Sequence, residues 1–147
     1  MATKTETVSE TLVGQWEAVN QKLGALADEM AADKFDYKPC ANVRTFAEVL
    51  RHVAFWNHYV ADRVRGKKAD DAANELSGQE FPGKKQILPA LRESSDAVTQ
   101  ALQENALDPS PEITDMLVSF IAHTAEHYGQ LVVYARLNNL VPPVSRG

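Results

Sequence analysis

Apolar residues fall at helical spacing in four runs along the chain. In the first, Leu12, Trp16, Val19, Leu23, Leu26 and Met30 follow at steps of four, three, four, three and four, a stripe down one helix face. Thr7-x-x-Glu10 ahead of it has capping-box spacing, which predicts a helix from about Thr7 to about Ala31. Gly14 and Gly24 weaken this helix without breaking its pattern. Residues 32–44 interrupt the periodicity around Pro39, and Thr45-x-x-Glu48 then supplies a second capping box. Phe46, Val49, Leu50, Val53, Asn57, Val60 and Val64 carry the second helix, and Gly66 is placed to end it.

From Gly66 to Gly83 the chain is polar and punctuated by Gly and Pro, with room for a short helical turn between Ala69 and Leu76. The third helix is expected from about Lys84 to Asn105, with Ile87, Leu88, Leu91, Val98 and Leu102 on one side. Pro89 falls in its first turn or two, so the start lies at Lys84 or one turn later. Asp108-Pro109-Ser110-Pro111 is a tight break, with Ser110 as cap and Pro111 at the first helical position. Ile113, Met116, Leu117, Phe120, Ile121, Thr124, Tyr128, Leu131 and Val132 carry the fourth helix to Asn138-Asn139, and Pro142-Pro143 forbids continuation. No strand-like alternation with turn chemistry occurs, so the fold class is all-α, a four-helix bundle.

Link lengths bear on topology. About five residues join helices three and four, enough only for antiparallel neighbours. The link from helix two to three, Gly66 to Gly83, can cross the bundle and restart from the same end. That permits an up-down-down-up order with a long crossover and with helices two and four antiparallel.

Composition narrows the function classes. At 147 residues the chain reads as one domain, 1–147, long enough to bury a core without a disulfide or structural metal. A net charge of −5 and basic residues that do not cluster argue against a nucleic-acid partner. Cys40 is the only cysteine, which excludes an intramolecular disulfide; following Pro39 in a loop, it reads as an inert small residue. Met1 to Glu10 is polar and lacks the apolar core of a signal peptide, and no run approaches the ~20 apolar residues of a membrane span. A cytoplasmic protein with no membrane partner is the expectation.

The candidate chemistry lies in the fourth helix. His123-Thr124-Ala125-Glu126-His127 places two imidazoles four residues apart on one helix face, a two-toothed clamp that needs a third ligand. His52 is the candidate. It lies roughly 10 Å into helix two, and His127 lies roughly 16 Å from the end of helix four. If antiparallel helices end flush, His127 is level with His52 within a few ångströms and His123 is off by about 12 Å. All three histidines sit on packed sides, beside Phe120, Thr124 and Leu131 in helix four and beside Val49 and Val53 in helix two. Burying them is costly unless they are hydrogen-bonded, solvated in a cleft, or bound to a cation. Neutral imidazoles suit divalent zinc, nickel, iron or copper, and three protein ligands leave the open positions of a catalytic site. The bland reading is that HxxxH in a helical protein is more often a pair of ordinary histidines.

Other metal readings fail on the residues present. HTAEH fits the inverted-zincin pattern, but no Asp or Glu follows His127 to serve as its third ligand. A carboxylate-bridged di-iron bundle needs Glu three residues before its histidines, and Val49, Phe55, Phe120 and Thr124 stand there. A zinc finger lacks its cysteines.

Arg51-His52-Val53-Ala54, then His123-x-x-x-His127-x-Gly129-Gln130, Tyr134-Ala135-Arg136 and a Pro-Pro ending together resemble the DinB-like family over nearly the whole chain. The resemblance implies an up-down-down-up bundle, a divalent metal (zinc, nickel or iron) on His52, His123 and His127, and frequently a homodimer. Characterised members include thiol-dependent S-transferases and a thiol-dependent isomerase, so it implies a small-molecule substrate and a low-molecular-weight thiol. Metal-dependent S-transfer or hydrolysis is the function expected; the alternative is a non-catalytic dimeric bundle that binds a stress ligand or senses metal.

Neighbouring residues suit supporting roles. Glu48, four residues before His52, could hold that ring's second nitrogen, although its capping box accounts for it. Gln130 could bond the pocket or the next helix. Asn57, Trp56 and Tyr59 could line a pocket mouth, though aromatics at this spacing are usually core. Gly129 is expected to allow close helix packing. Glu126 points about 100° away from its histidine neighbour, and His58 lies on another face from His52.

Overall fold

The computed structural model describes residues 7–105 and 109–147. The first six residues of the polar leader, and Asp108 of the break before the fourth helix, lie outside the described residues. Four helices dominate: α1 (Val8–Glu29), α2 (Phe46–Val64), α3 (Lys84–Glu104) and α4 (Pro111–Leu137), with single 3-10 turns at Ala32–Lys34 and Pro143–Ser145. Among the described residues there is no strand, and no helix is long and apolar enough to cross a membrane.

Three helix starts form from the caps read in the sequence. Thr7 Oγ1 accepts from the Glu10 amide at 3.1 Å while the Glu10 carboxylate accepts from the Thr7 amide at 2.8 Å. Thr45 and Glu48 repeat the pair at 3.1 and 2.7 Å. Each box satisfies amides that would otherwise have no intrahelical partner. Ser110 Oγ accepts from the Ile113 amide at 3.2 Å, and Pro111 opens α4 where its missing N–H is harmless. In α3, Pro89 does not delay the start. The Gly83 carbonyl takes the Gln86 and Ile87 amides at 3.0 and 2.9 Å, closing a full turn before the proline. Gly66, at φ +71°, ends α2 in the left-handed conformation that glycine adopts without strain.

The apolar stripes meet in two clusters. One joins Leu23, Leu26 and Met30 to Phe46, Leu50, Val53, Ile87, Leu91, Leu131 and Tyr134. The other gathers Trp16, Val60, Val98, Leu102 and Leu117. A buried polar knot sits where the helices pass from one cluster to the other. Asn57 donates to Ser94 Oγ at 3.1 Å and to Asn20 Oδ1 at 3.4 Å, Ser94 donates to the Leu91 carbonyl at 2.8 Å, and Asn20 donates to the Trp16 carbonyl at 3.0 Å. Asn57 is thus committed inside the bundle, tying α2 to α1 and α3. The sequence-based expectation that it lines a pocket mouth is corrected.

Contacts between named helix ends give pairwise directions. Arg63 near the end of α2 pairs with Glu112 at the start of α4, an antiparallel match. Arg65, just past α2, pairs with Glu104 at the end of α3 at 3.3 Å, so α2 and α3 run the same way. Lys84 at the start of α3 donates to the Met30 carbonyl just past α1 at 2.8 Å. These contacts are compatible with the up-down-down-up order.

The α2–α3 link has room for a short helical turn between Ala69 and Leu76 but holds none. Its backbone bonds α2 instead: the Leu76 amide donates to the Arg51 carbonyl at 3.3 Å, and Asn74 takes a left-handed φ of 61°. Arg51, only 9% exposed, sews the link down through Glu75 at 3.1 Å and the Phe81 carbonyl at 3.1 Å.

Asn57→Ala removes a donor on which Ser94 and Asn20 depend and should cost about 1–3 kcal/mol of stability. Chemical denaturation measures this loss. The metal content of the variant should equal that of wild type; a drop in bound metal would return Asn57 to the site.

Candidate metal centre

The register of α2 against α4 brings the three histidines together. Arg63 and Glu112 pin the two helices at one level. His52 precedes Arg63 by as many residues as His123 follows Glu112, so both lie at about the same height along antiparallel axes. His52 Nε2 stands 3.0 Å from His123 Nε2, and His127 Nε2 stands 3.2 Å from the same atom. The helix ends are not flush: α4 is the longer element and overhangs the start of α2 by about 12 Å. That overhang is the offset by which flush ends misplace His123. His127, one turn further on, reaches back because α-helical side chains lean toward the N-terminus.

All three candidate ligand atoms lie within 4.8 Å of one another. Two nitrogens on one tetrahedral zinc are separated by about 3.3 Å when each bond is about 2.05 Å. The two separations at His123, 3.0 and 3.2 Å, are close to that donor spacing, and the third pair, His52 and His127, lies within 4.8 Å. His52 is buried, while His123 and His127 are half-buried and face a route to solvent.

Hydrogen bonds fix which nitrogen carries the proton in two of the three rings. His52 Nδ1 lies 2.7 Å from the Asn74 carbonyl, which can only accept, so Nδ1 is protonated and Nε2 presents its lone pair. For His127 the proof runs through three side chains. The Tyr134 hydroxyl donates to the Arg44 carbonyl at 2.7 Å, so the Tyr134 oxygen accepts from Gln130 Nε2 at 2.8 Å. That orients the Gln130 amide with Oε1 toward His127 Nδ1 at 2.9 Å, and Nδ1 must donate. His127 Nε2 is then a second lone pair aimed at the same point. Such partners on the far nitrogen set ring orientation and tautomer in histidine metal sites.

Burial is the first cause that pushes the His123 proton affinity down to about 4, with the neighbouring His127, His52 and Arg44 adding repulsion. His52 is lowered too, chiefly by burial; the Asn74 carbonyl opposes this, and Arg44 and His127 reinforce it. Both rings are therefore neutral at pH 7, the form a metal ion requires.

An aromatic wall borders the cluster. Phe120 packs 5.6 Å from His123 and stacks on Trp56 at 5.6 Å, and Trp56 meets His52 edge-on at 6.4 Å. Trp56 Nε1 donates to Asn74 Oδ1 at 2.8 Å, so Asn74 steadies both the wall and His52. The left-handed backbone at Asn74 accompanies both contacts, and Asn is among the residues that tolerate it best.

Other sequence expectations fare differently. Glu48 is engaged by the Thr45 amide, and the place foreseen for it on His52 belongs to the Asn74 carbonyl. Gln130 bonds the cluster directly. Gly129 does not mediate close packing: a Cβ there would meet nothing within 4 Å. Glu126, His58 and Cys40 are exposed. Asn74 and Arg44 were not singled out by sequence, and Tyr134 entered only through the family resemblance, although His127, Gln130 and Tyr134 lie at i, i+3 and i+7 on one face, a signal that was present. A cleft of about 510 Å³ lies elsewhere, between α1 and α3 beside Trp16, Asn20, Leu91 and Ser95, and no histidine lines it.

Fold and site together define a four-helix bundle with a three-histidine cluster fit for a divalent ion. A family model described as the DinB superfamily matches residues 15–131, all three histidines included, and the chain belongs to that superfamily. A comparison with curated proteins finds no match.

Gln130→Leu should leave the fold intact and weaken zinc binding by about 10- to 100-fold, measured by competition with a chromophoric chelator. An unchanged affinity would show that the His127 tautomer does not depend on this amide.

Proposed function

We propose that this protein is a metal-dependent enzyme that carries zinc, nickel or iron on His52, His123 and His127. The observation that carries this reading is the convergence of three Nε2 atoms, two of them held as lone pairs by outward hydrogen bonds. A divalent ion on three neutral ligands would keep open positions and would supply there the lowered pKa that makes a water or thiol nucleophilic at neutral pH. The chain's own residues do the rest. Asn74 and Gln130 orient the rings, and Phe120 and Trp56 shield one side of the cluster from water.

The superfamily resemblance supports S-transfer or hydrolysis involving a low-molecular-weight thiol; a cytoplasmic location is part of the proposal. A homodimer belongs to the same proposal. Val118, Ala122, Ala125, Gly129, Val133 and Leu137 form an exposed stripe of apolar and small residues along α4, a surface suited to a second copy. The alternative, a non-catalytic binding or sensing bundle, draws on the position of the α1–α3 cleft away from the histidines.

Elemental analysis of protein purified without a metal-affinity tag should find about one divalent ion per chain, and His123→Ala should lose it. Wild type that holds none of the three metals and cannot be loaded with them contradicts the enzyme reading. A conjugation screen with bacillithiol, mycothiol and glutathione separates the two classes, since turnover excludes the binding module.

A further inference from the structure

We infer that Arg44 is the anion-recognition element of this site, so that the ligand taken there carries a carboxylate beside the atom that meets the metal. The inference rests on the metal reading above and extends it to the class of substrate.

Charge is the first argument. The three candidate ligands are neutral imidazoles, so a bound divalent ion keeps its full positive charge. The nearby salt-bridge group does not offset it, because Glu75 serves two guanidinium groups at once. In a chain of net charge −5, a divalent ion on neutral ligands would be a local positive feature that draws in anions.

The two arginines differ in what they have left to give. Arg51 is committed to Glu75 at 3.1 Å and the Phe81 carbonyl at 3.1 Å, with its side chain 10% exposed. Arg44 approaches the second Glu75 oxygen only to 3.7 Å, an ion pair too long for a hydrogen bond, and its side chain is 37% exposed. Among the described residues its guanidinium makes no hydrogen bond. A planar fork of unengaged N–H donors matches a carboxylate in bidentate geometry.

Position is the third argument. The Arg44 carbonyl anchors the Tyr134–Gln130–His127 chain on one side. Glu75, its ion-pair partner, is the next residue after Asn74, which holds His52. Arg44 thus stands between the two outer supports of the cluster.

The test uses cobalt(II)-loaded protein, whose sulfur-to-metal charge-transfer absorption reports thiol binding, with N-acetylcysteine and N-acetylcysteine amide as probes matched except for the carboxylate. Wild type should bind the acid about tenfold more tightly than the amide, the size of a charge-assisted contact. Arg44→Gln should bring the two within about twofold of each other and leave amide binding unchanged, while Arg44→Lys keeps part of the preference. Arg44→Gln should also load cobalt at least as tightly as wild type, because a neighbouring positive charge has been removed. Wild type that fails to load cobalt overturns the metal reading and this inference with it. Loaded wild type without a preference, an Arg44→Gln variant that retains the preference, or one that loses cobalt overturns this inference alone.

Discussion

Three imidazole Nε2 atoms crowd one point, two of them as bare lone pairs, and the protein commits contacts from several segments to hold them there. That crowding is the constraint on which the arrangement turns. Without the Asn74 carbonyl and the Gln130 amide, His52 and His127 could each turn a protonated nitrogen inward and relax the cluster as an ordinary hydrogen-bonded group. With those partners in place, two of the three inward nitrogens must be bare. Outward hydrogen bonds of this kind set ring orientation and tautomer in histidine metal sites.

The enforcement is distributed over parts of the chain that are remote in sequence. The crossover after α2 delivers Asn74, and it lies where it does because Arg51 and Glu75 fasten it to α2. The segment before α2 delivers the Arg44 carbonyl, the terminal acceptor of a chain that runs through Tyr134 and Gln130 to His127. Helix register does the remainder: the Arg63–Glu112 contact sets α2 against α4 so that His52 and His123 share a level. The buried Asn57–Asn20–Ser94 knot adds specificity to the packing, since polar atoms inside a core tolerate only registers that pair them.

Much of this was legible in the sequence because it is local. Capping boxes at Thr7 and Thr45, the Ser110-Pro111 start and the four apolar stripes depend on residues within one or two turns, and each formed as read. The pairing of His123 with His127 is equally local. Less legible were the features that depend on length differences and on irregular backbone. The overhang of α4 beyond α2 moved the level of His52 from His127 to His123. Asn74 acts through its main chain in a left-handed conformation, which no side-chain pattern announces. Glu48 and Asn57 were plausible near the site by spacing, yet each has a nearer partner that claims its polar atoms.

X-ray absorption spectroscopy of the zinc-loaded protein reads whether one divalent ion binds all three rings at once. The expected spectrum has a first shell of light atoms at about 2.0–2.1 Å, with outer-shell scattering that requires three imidazoles. A shell that requires fewer than three imidazoles, or one that contains a protein sulfur, would contradict binding by all three rings.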